Sequence, residues 1–288
     1  MSDFRLYPLK CRPLFKARPW GGRTLETLFG KPLPPGQEIG EAWEAADIPE
    51  GTSLIANGPL AGQSLTEVVR IWKRDLIGHA WKHADRFPLL VKLLDAREDL
   101  SVQVHPGPED CRRNFPEHHS KDESWVVLDA EPDGALYWGF QKGATLNEFR
   151  TLLESGRIET ILRRVPVKKG DLVRVAPRTV HALLRGVVLL EVQEPSDSTF
   201  RIYDYGRIVN GNPRPLHIEE ATRVMSFEWH EEPLIRPRII PSRIAQRELL
   251  VDCDAYRMER WQIKGVFDPG QIFIPARCPK SDQDQTRP

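Results

Sequence analysis

The stretch Leu100–His105 reads LSVQVH and is predicted to form a β-strand. Because successive side chains of a strand point to opposite faces, Val102 and Val104 share one face. The other face carries the polar side chains of Ser101, Gln103 and His105. If that face points inward it lines a cavity, where it offers His105 as a metal ligand and Gln103 as an oxygen ligand beside it.

Outside this strand, most of the chain is predicted to form further short strands. The 25 prolines favour many strands and turns over long helices. The other predicted strands are Leu89–Asp95, Ser124–Asp129, Ala135–Phe140, Asp171–Ala176, Val187–Gln193 and Phe200–Tyr205. Short strands separated by turns are typical of a sandwich or barrel, so we expect a mainly β fold.

Two helices are predicted as insertions in this β framework. Ser64 and Glu67 match a capping box, and an apolar face follows that runs to Leu76. Thr145 and Glu148 match a second capping box, with Gly156 as the stop signal. A short helical piece that carries Ile158, Ile161 and Leu162 is expected after it.

The C-terminal part differs in composition from the rest. A Pro/Arg-rich linker begins near Glu231, a strand-like run follows, and the chain ends in a polar tail. We therefore expect a catalytic domain over residues 1–230 and a linker, an incomplete β unit and a tail over 231–288. Because so few strands cannot bury a core, Arg257–Ile263 is expected to join a sheet edge of the main domain or of a partner chain. The last ten or so residues are expected to be mobile.

Composition excludes several classes of function. Lys+Arg and Asp+Glu are both 41, and this zero net charge argues against a nucleic-acid or membrane-surface partner. The cysteines are too far apart for a CxxC pair, so no disulfide framework or thiolate metal site is expected; they are Cys11, Cys111, Cys253 and Cys278. No secretory signal and no run of about 18 apolar residues is visible, so we expect a cytoplasmic protein.

Two further segments complete a candidate metal site. In Lys121–Trp125 (KDESW), Lys121 and Glu123 share a face at the entry of a strand. In Lys169–His181, a Gly-Asp turn, a strand and a Pro turn bring His181 back over the same barrel mouth. His105, Glu123 and His181, with an oxygen from Gln103, would leave a position open for water or substrate, as a catalytic metal needs.

The order of several motifs is more specific than any one of them. They are WGG at Trp20–Gly22, GEAWE at Gly40–Glu44, FPLLVKLLDAREDLSVQVHP at Phe87–Pro106, KDESW at Lys121–Trp125, APRTVHAL at Ala176–Leu183 and EVQEPSDSTFRIYDYGR at Glu191–Arg207. In these motifs the chain resembles the type I mannose-6-phosphate isomerases, in their short bacterial form. It departs from them at Gln103, where short relatives often carry Lys, at Asp47–Pro49, and after Tyr256, where the family's C-terminal cupin unit is longer.

The resemblance implies a cupin-type (jelly-roll) β-barrel with inserted helices and a Zn²⁺ site. It implies zinc ligands at Gln103, His105, Glu123 and His181, and substrate-facing side chains at Ser101, Lys92, Lys121 and Arg201. The implied partner is a small-molecule sugar phosphate, and a monomer or homodimer is expected.

The implied reaction interconverts mannose 6-phosphate and fructose 6-phosphate through a cis-enediol(ate). The expected catalytic residues are Arg201, Glu191 and Lys121. Glu191 and His181 both remain candidates for the proton carrier, and the fixed charge of Arg201 suits a place beside the enediolate. Lys92 and Lys121, with Ser101 as a hydrogen-bond donor, are the expected phosphate ligands.

Two other classes of function compete with this interpretation. An Fe(II)-type cupin oxygenase would use the same two-histidine, one-carboxylate set, but dioxygen chemistry needs no phosphate site. A non-catalytic sugar-binding cupin would keep the pocket and lose a ligand or the arginine, and both are present in this chain.

Overall fold

The computed structural model describes residues 7–78, 85–242 and 245–263. By their contacts the residues form two compact units. One lies within Met1–Leu14, Glu44–Leu90 and Arg236–Pro288, and the other comprises Phe15–Trp43 and Val91–Ile235. The predicted boundary near residue 230 stays a prediction.

Strands dominate the described residues. In chain order they are β1 (Leu14–Gly22), β2 (Ile39–Ala45), β3 (Asp47–Ile48), β4 (Gly51–Thr52), β5 (Leu90–Ala96), β6 (Val102–Val104), β7 (Glu123–Ala130), β8 (Ala135–Phe140), β9 (Leu162–Pro166), β10 (Leu172–Val175), β11 (His181–Leu183), β12 (Val187–Gln193), β13 (Phe200–Tyr203), β14 (Ile208–Val209), β15 (Asn212–Pro213), β16 (Arg238–Ile240), β17 (Ala245–Asp252) and β18 (Arg257–Ile263). The α-helices are α1 (Thr24–Phe29), α2 (Leu65–Trp72), α3 (Arg74–Ile77), α4 (Pro108–Arg113), α5 (Leu146–Glu154) and α6 (Ile218–Val224). The expected mainly β fold is confirmed.

Two large sheets pack face to face. One has the strand order β1-β2-β5-β12-β7-β10, and the other has the order β13-β6-β11-β8-β9. A single apolar cluster joins them, with Leu94, Val127 and Leu189 from the first sheet and Leu136 and Leu183 from the second. Two packed sheets with antiparallel pairing are the architecture of a jelly roll.

The five-stranded sheet has a second apolar layer on its other face. Val102 and Val104 of β6 are fully buried there, in a cluster with Phe149 of α5 and Val224 of α6. Since the valines face these helices, the alternate side chains of β6 face the space between the sheets. This inverts the usual pattern of an apolar interior and places the polar row of the strand inside the fold.

The two predicted helices begin where expected. Ser64 and Glu67 form the reciprocal capping box of α2, with Glu67 N donating to Ser64 Oγ at 3.2 Å. That helix ends at Trp72, before the predicted Leu76, because Lys73 adopts a positive φ of 45°. Thr145 accepts a hydrogen bond from Glu148 N at the start of α5 without the reciprocal bond. The short piece after Gly156 is a 3-10 helix, Ile158–Ile161.

The smaller unit has its own apolar cluster. Val68 and Val69 of α2 are fully buried there with Ile55, Leu60 and Leu65. In the same unit, β16, β17 and β18 form a separate three-stranded sheet. Arg257–Ile263 pairs with Ala245–Asp252 as a hairpin strand, so the expectation that it joins a sheet of the main domain is wrong. The alternative that it joins a partner chain stays a prediction. The predicted mobile tail lies outside the described residues.

Within the described ranges, no helix is long and apolar enough to cross a membrane.

Candidate metal centre and pocket

Three strands bring two imidazoles and one carboxylate together between the sheets. His105 follows β6, Glu123 begins β7, and His181 begins β11, where it pairs with Gln103. His181 Nε2 lies 3.2 Å from Glu123 Oε1, and His105 Nε2 lies 3.5 Å from Glu123 Oε2. All three side chains are buried, and their possible ligand atoms lie within 4.8 Å of one another.

Backbone carbonyls orient both imidazoles. His105 Nδ1 lies 2.9 Å from the carbonyl oxygen of Ser198, and His181 Nδ1 lies 2.8 Å from that of Thr179. Since a carbonyl oxygen only accepts, each Nδ1 carries the hydrogen and donates it. Each Nε2 therefore presents its lone pair to the cluster, which is the tautomer that a metal ligand needs.

The donor set fits a cation. Both carboxylate oxygens of Glu123 are buried without a hydrogen bond of ordinary geometry, although Lys121 Nζ lies 2.8 Å from Oε2. The same ammonium lies 3.1 Å from His105 Nε2, so a positive charge already contacts two of the three donors. Burial and the Lys121 charge lower the pKa of His105 to about 3, which keeps this imidazole neutral. Burial alone would raise the pKa of Glu123, but the charge of Lys121 holds it well below its ordinary value.

A polar cavity of about 260 Å³ adjoins the cluster. Every residue that the sequence predicts to face substrate lines this cavity, and so do Gln103 and Glu191. Its lining is Arg18, Trp20, Glu41, Lys92, Leu94, Leu100, Ser101, Gln103, Lys121, Trp125, Leu183, Glu191, Asp197, Thr199, Arg201 and Arg214. The side-chain amide nitrogen of Gln103 lies 3.3 Å from His181 Nε2, so this side chain reaches the cluster. Its role as a fourth ligand stays a prediction.

Glu191 lies in a buried polar group on the wall of the cavity. Its Oε2 is 3.2 Å from Lys92 Nζ, and its Oε1 accepts a hydrogen bond from Trp125 Nε1 at 3.3 Å. Lys92 also donates to Gln193 Oε1 at 2.6 Å. Burial raises the pKa of Glu191, with Lys92 opposing that shift and the charge of Glu123 adding to it.

Sequence reasoning missed the pair of Arg18 and Glu41. Arg18 donates through Nε to Glu41 Oε1 at 2.9 Å and through Nη2 to Oε2 at 3.2 Å. Trp43 Nε1 donates to the same carboxylate at 2.7 Å. Burial would raise the pKa of Glu41, but the charges of Lys92 and Arg18 outweigh it and lower the pKa to about 2. The GEAWE motif marks Glu41 in the sequence, whereas no pattern singles out Arg18.

Arg214 was also missed, and it lies beside Arg201. Arg214 donates to both oxygens of Asp204, at 2.7 and 2.5 Å. Arg201 Nη1 donates to the carbonyl of Pro215 at 2.9 Å, whereas its Nε is buried and has no hydrogen-bond partner. Asp204 can be found in the EVQEPSDSTFRIYDYGR motif, but its partner Arg214 lies outside every motif.

The fold and the cluster together define a mainly β protein with a candidate metal centre beside a polar pocket. Residues 6–135 match the model of "Phosphomannose isomerase type I, catalytic domain". The probable mannose-6-phosphate isomerase GmuF of Bacillus subtilis is 38% identical, over 93% of this chain and 84% of its own length. The mannose-6-phosphate isomerase ManA of the same organism is 37% identical, over 90% and 80%.

Solved structures agree with these sequence matches. A crystal structure of the mannose 6-phosphate isomerase from Bacillus subtilis superposes with a TM-score of 0.81 at 34% identity, covering 90% of this chain and 81% of that one. A zinc-bound mannose 6-phosphate isomerase has a TM-score of 0.65 at 19% identity, over 87% and 82%, which shows a shared fold alone. The chain belongs to the type I phosphomannose isomerase family.

Proposed function

We propose that this chain is a zinc-dependent isomerase that interconverts mannose 6-phosphate and fructose 6-phosphate. The observation that carries the proposal is the cluster of His105, Glu123 and His181 beside a cavity lined by five cationic side chains. The names of its relatives, mannose-6-phosphate isomerases, support the same substrate.

The donors fit zinc. His105, Glu123 and His181 would hold the ion, with the Gln103 side-chain oxygen as the fourth ligand, and imidazole with carboxylate is a donor set that zinc favours. When bound, zinc supplies a fixed positive charge that stabilises negative charge developing on the sugar oxygens.

Glu191 is the better candidate for the proton carrier. Both nitrogens of His181 are engaged, Nδ1 with a backbone carbonyl and Nε2 with the cluster. Glu191 instead lines the cavity with a buried carboxylate held by Lys92. Its carboxylate would take the proton from C2 of the aldose and return it to C1, while a second proton moves from O2 to O1.

Ser101 and Lys121 would act on the sugar end of the substrate. Both line the cavity, and the hydroxyl and the ammonium are hydrogen-bond donors. Donors that face O1 and O2 stabilise the enediolate more than the neutral sugar, which is the condition for lowering the barrier.

A coupled assay with mannose 6-phosphate, run on protein purified without added metal, tests the proposal. We expect turnover, about one zinc per chain by metal analysis, and loss of both on chelation with recovery when zinc is returned. Bound iron with oxygen consumption would instead indicate an oxygenase. A zinc-loaded protein that binds the sugar phosphate without converting it would indicate a sugar-binding protein.

The cytoplasmic location and the monomeric or homodimeric state stay predictions from the sequence.

A further inference from the structure

The two lysines of the cavity are already engaged in its interior. Lys92 contacts Glu191 and Gln193, and Lys121 contacts Glu123 and His105. They are only 5% and 4% exposed. A phosphate dianion at either lysine would compete with a buried carboxylate and would have to shed most of its water.

Three arginines line the same cavity and are held differently. Arg18 and Arg214 are each fixed by one carboxylate through Nε and Nη2, and in the described residues no hydrogen bond uses Nη1. Carboxylates of this kind orient the planar guanidinium and leave its other edge free to donate. Both arginines therefore combine a fixed orientation with unused donors.

Arg201 is the cavity arginine without an acidic partner. Within the described ranges, no carboxylate lies within ion-pair distance of it, and its Nε is buried without a hydrogen bond. Burial lowers the pKa of Arg201, and the charge of Arg214 acts in the same direction. An unpaired guanidinium beside two others is stabilised by a bound anion.

We propose that Arg201, Arg214 and Arg18 form the phosphate-binding part of the cavity, while Lys92 and Lys121 lie at the end of the sugar where the proton is transferred. This inference rests on the proposed function, and it moves Arg201 from the enediolate to the phosphate. Arg18 and Arg214 become determinants of specificity for a phosphorylated sugar.

A substitution at Asp197 should change phosphate affinity in the direction opposite to the arginine substitutions. It lines the same cavity, is exposed, and forms no ion pair with a described cation. Its negative charge opposes a phosphate dianion, so Asp197→Asn should tighten binding where the arginine variants weaken it.

The experiment measures binding of mannitol 6-phosphate, which cannot isomerise, to the zinc-loaded protein by calorimetry, with mannitol as the phosphate-free control. We expect Arg18→Gln and Arg214→Gln each to weaken mannitol 6-phosphate binding about tenfold, because each removes a charge-assisted donor. Mannitol affinity should stay the same, and the KM for mannose 6-phosphate should rise with little change in kcat. Arg113→Gln, at a 73% exposed position on α4, is the matched control.

The conservative variants Arg18→Lys and Arg214→Lys keep the charge if the glutamine variants fail to fold, and they should bind with intermediate affinity. Unchanged affinity for mannitol 6-phosphate in soluble, folded arginine variants would overturn the phosphate site even if the enzyme is an active isomerase. Conversely, if wild type binds mannitol 6-phosphate through these arginines but turns over no mannose 6-phosphate, the proposed reaction fails and the phosphate site stands.

Discussion

Lys92 Nζ lies 3.2 Å from Glu191 Oε2, and both side chains are almost completely buried on the wall of the cavity. Little water reaches either charge, so each depends largely on the other. Removing one member leaves an uncompensated charge in the interior, which costs more than the pair itself contributes.

Lys92→Met should therefore lower the free energy of unfolding by about 3 kcal/mol. The double variant Lys92→Met/Glu191→Gln, which leaves no unpaired charge, should recover part of that loss. Urea unfolding of the two single variants and the double variant measures the coupling. A double variant no more stable than Lys92→Met would contradict this dependence.

His105→Ala should remove most of the bound zinc together with the activity, because the imidazole supplies one of three convergent donors. We expect less than about a tenth of the wild-type zinc content after dialysis, measured by metal analysis. His119→Ala is the control, since the hydrogen bonds of that exposed residue use its backbone: the N–H donates to Ser198 Oγ and the carbonyl accepts from Ser196 Oγ. Full zinc loading of His105→Ala would refute the site.

Because of Glu41, the free energy of unfolding should depend on pH in the acid range. Its pKa in the folded protein is about 2, below the ordinary carboxyl value, so the unfolded chain binds the proton more tightly. The stabilisation, about 3 kcal/mol, is complete above the ordinary carboxyl pKa and is lost as pH falls towards 2.

Glu41→Gln should flatten this part of the pH dependence. Unfolding free energies measured between pH 5 and about pH 3 give the slopes of the two proteins in the relevant range. If the unfolding free energy of the two proteins had the same slope against pH, protonation of Glu41 would not be the cause of the pH dependence.

The two helix caps should differ in strength. Ser64 takes part in a reciprocal box, whereas Thr145 accepts a single bond. We expect Ser64→Ala to cost about 1 kcal/mol of unfolding free energy and Thr145→Ala to cost less, with kcat unchanged in both. Thermal unfolding of the two variants compares them, and the reverse order would show that the reciprocal bond adds nothing.

Local patterns in the sequence predicted much of the fold and the grouping of His105, Glu123 and His181. Side chains alternate between the two faces of any strand because of backbone geometry. This alternation alone separates the valines of Leu100–His105 from its polar side chains. The capping signals are equally local, and they placed the starts of α2 and α5 correctly. The length of α2 was overestimated, since nothing in its apolar spacing reveals the positive φ of Lys73.

Tertiary structure alone decided which charges are paired. In the sequence, Lys92, Lys121 and Arg201 are three cations that nothing distinguishes by pairing. All three were therefore predicted to face the substrate. Packing engages the two lysines with buried acceptors, leaves Arg201 without a carboxylate, and brings Arg18 and Arg214 into the same cavity from outside the predicted set. Ion pairing depends on distances between strands far apart in the chain, which no local pattern encodes.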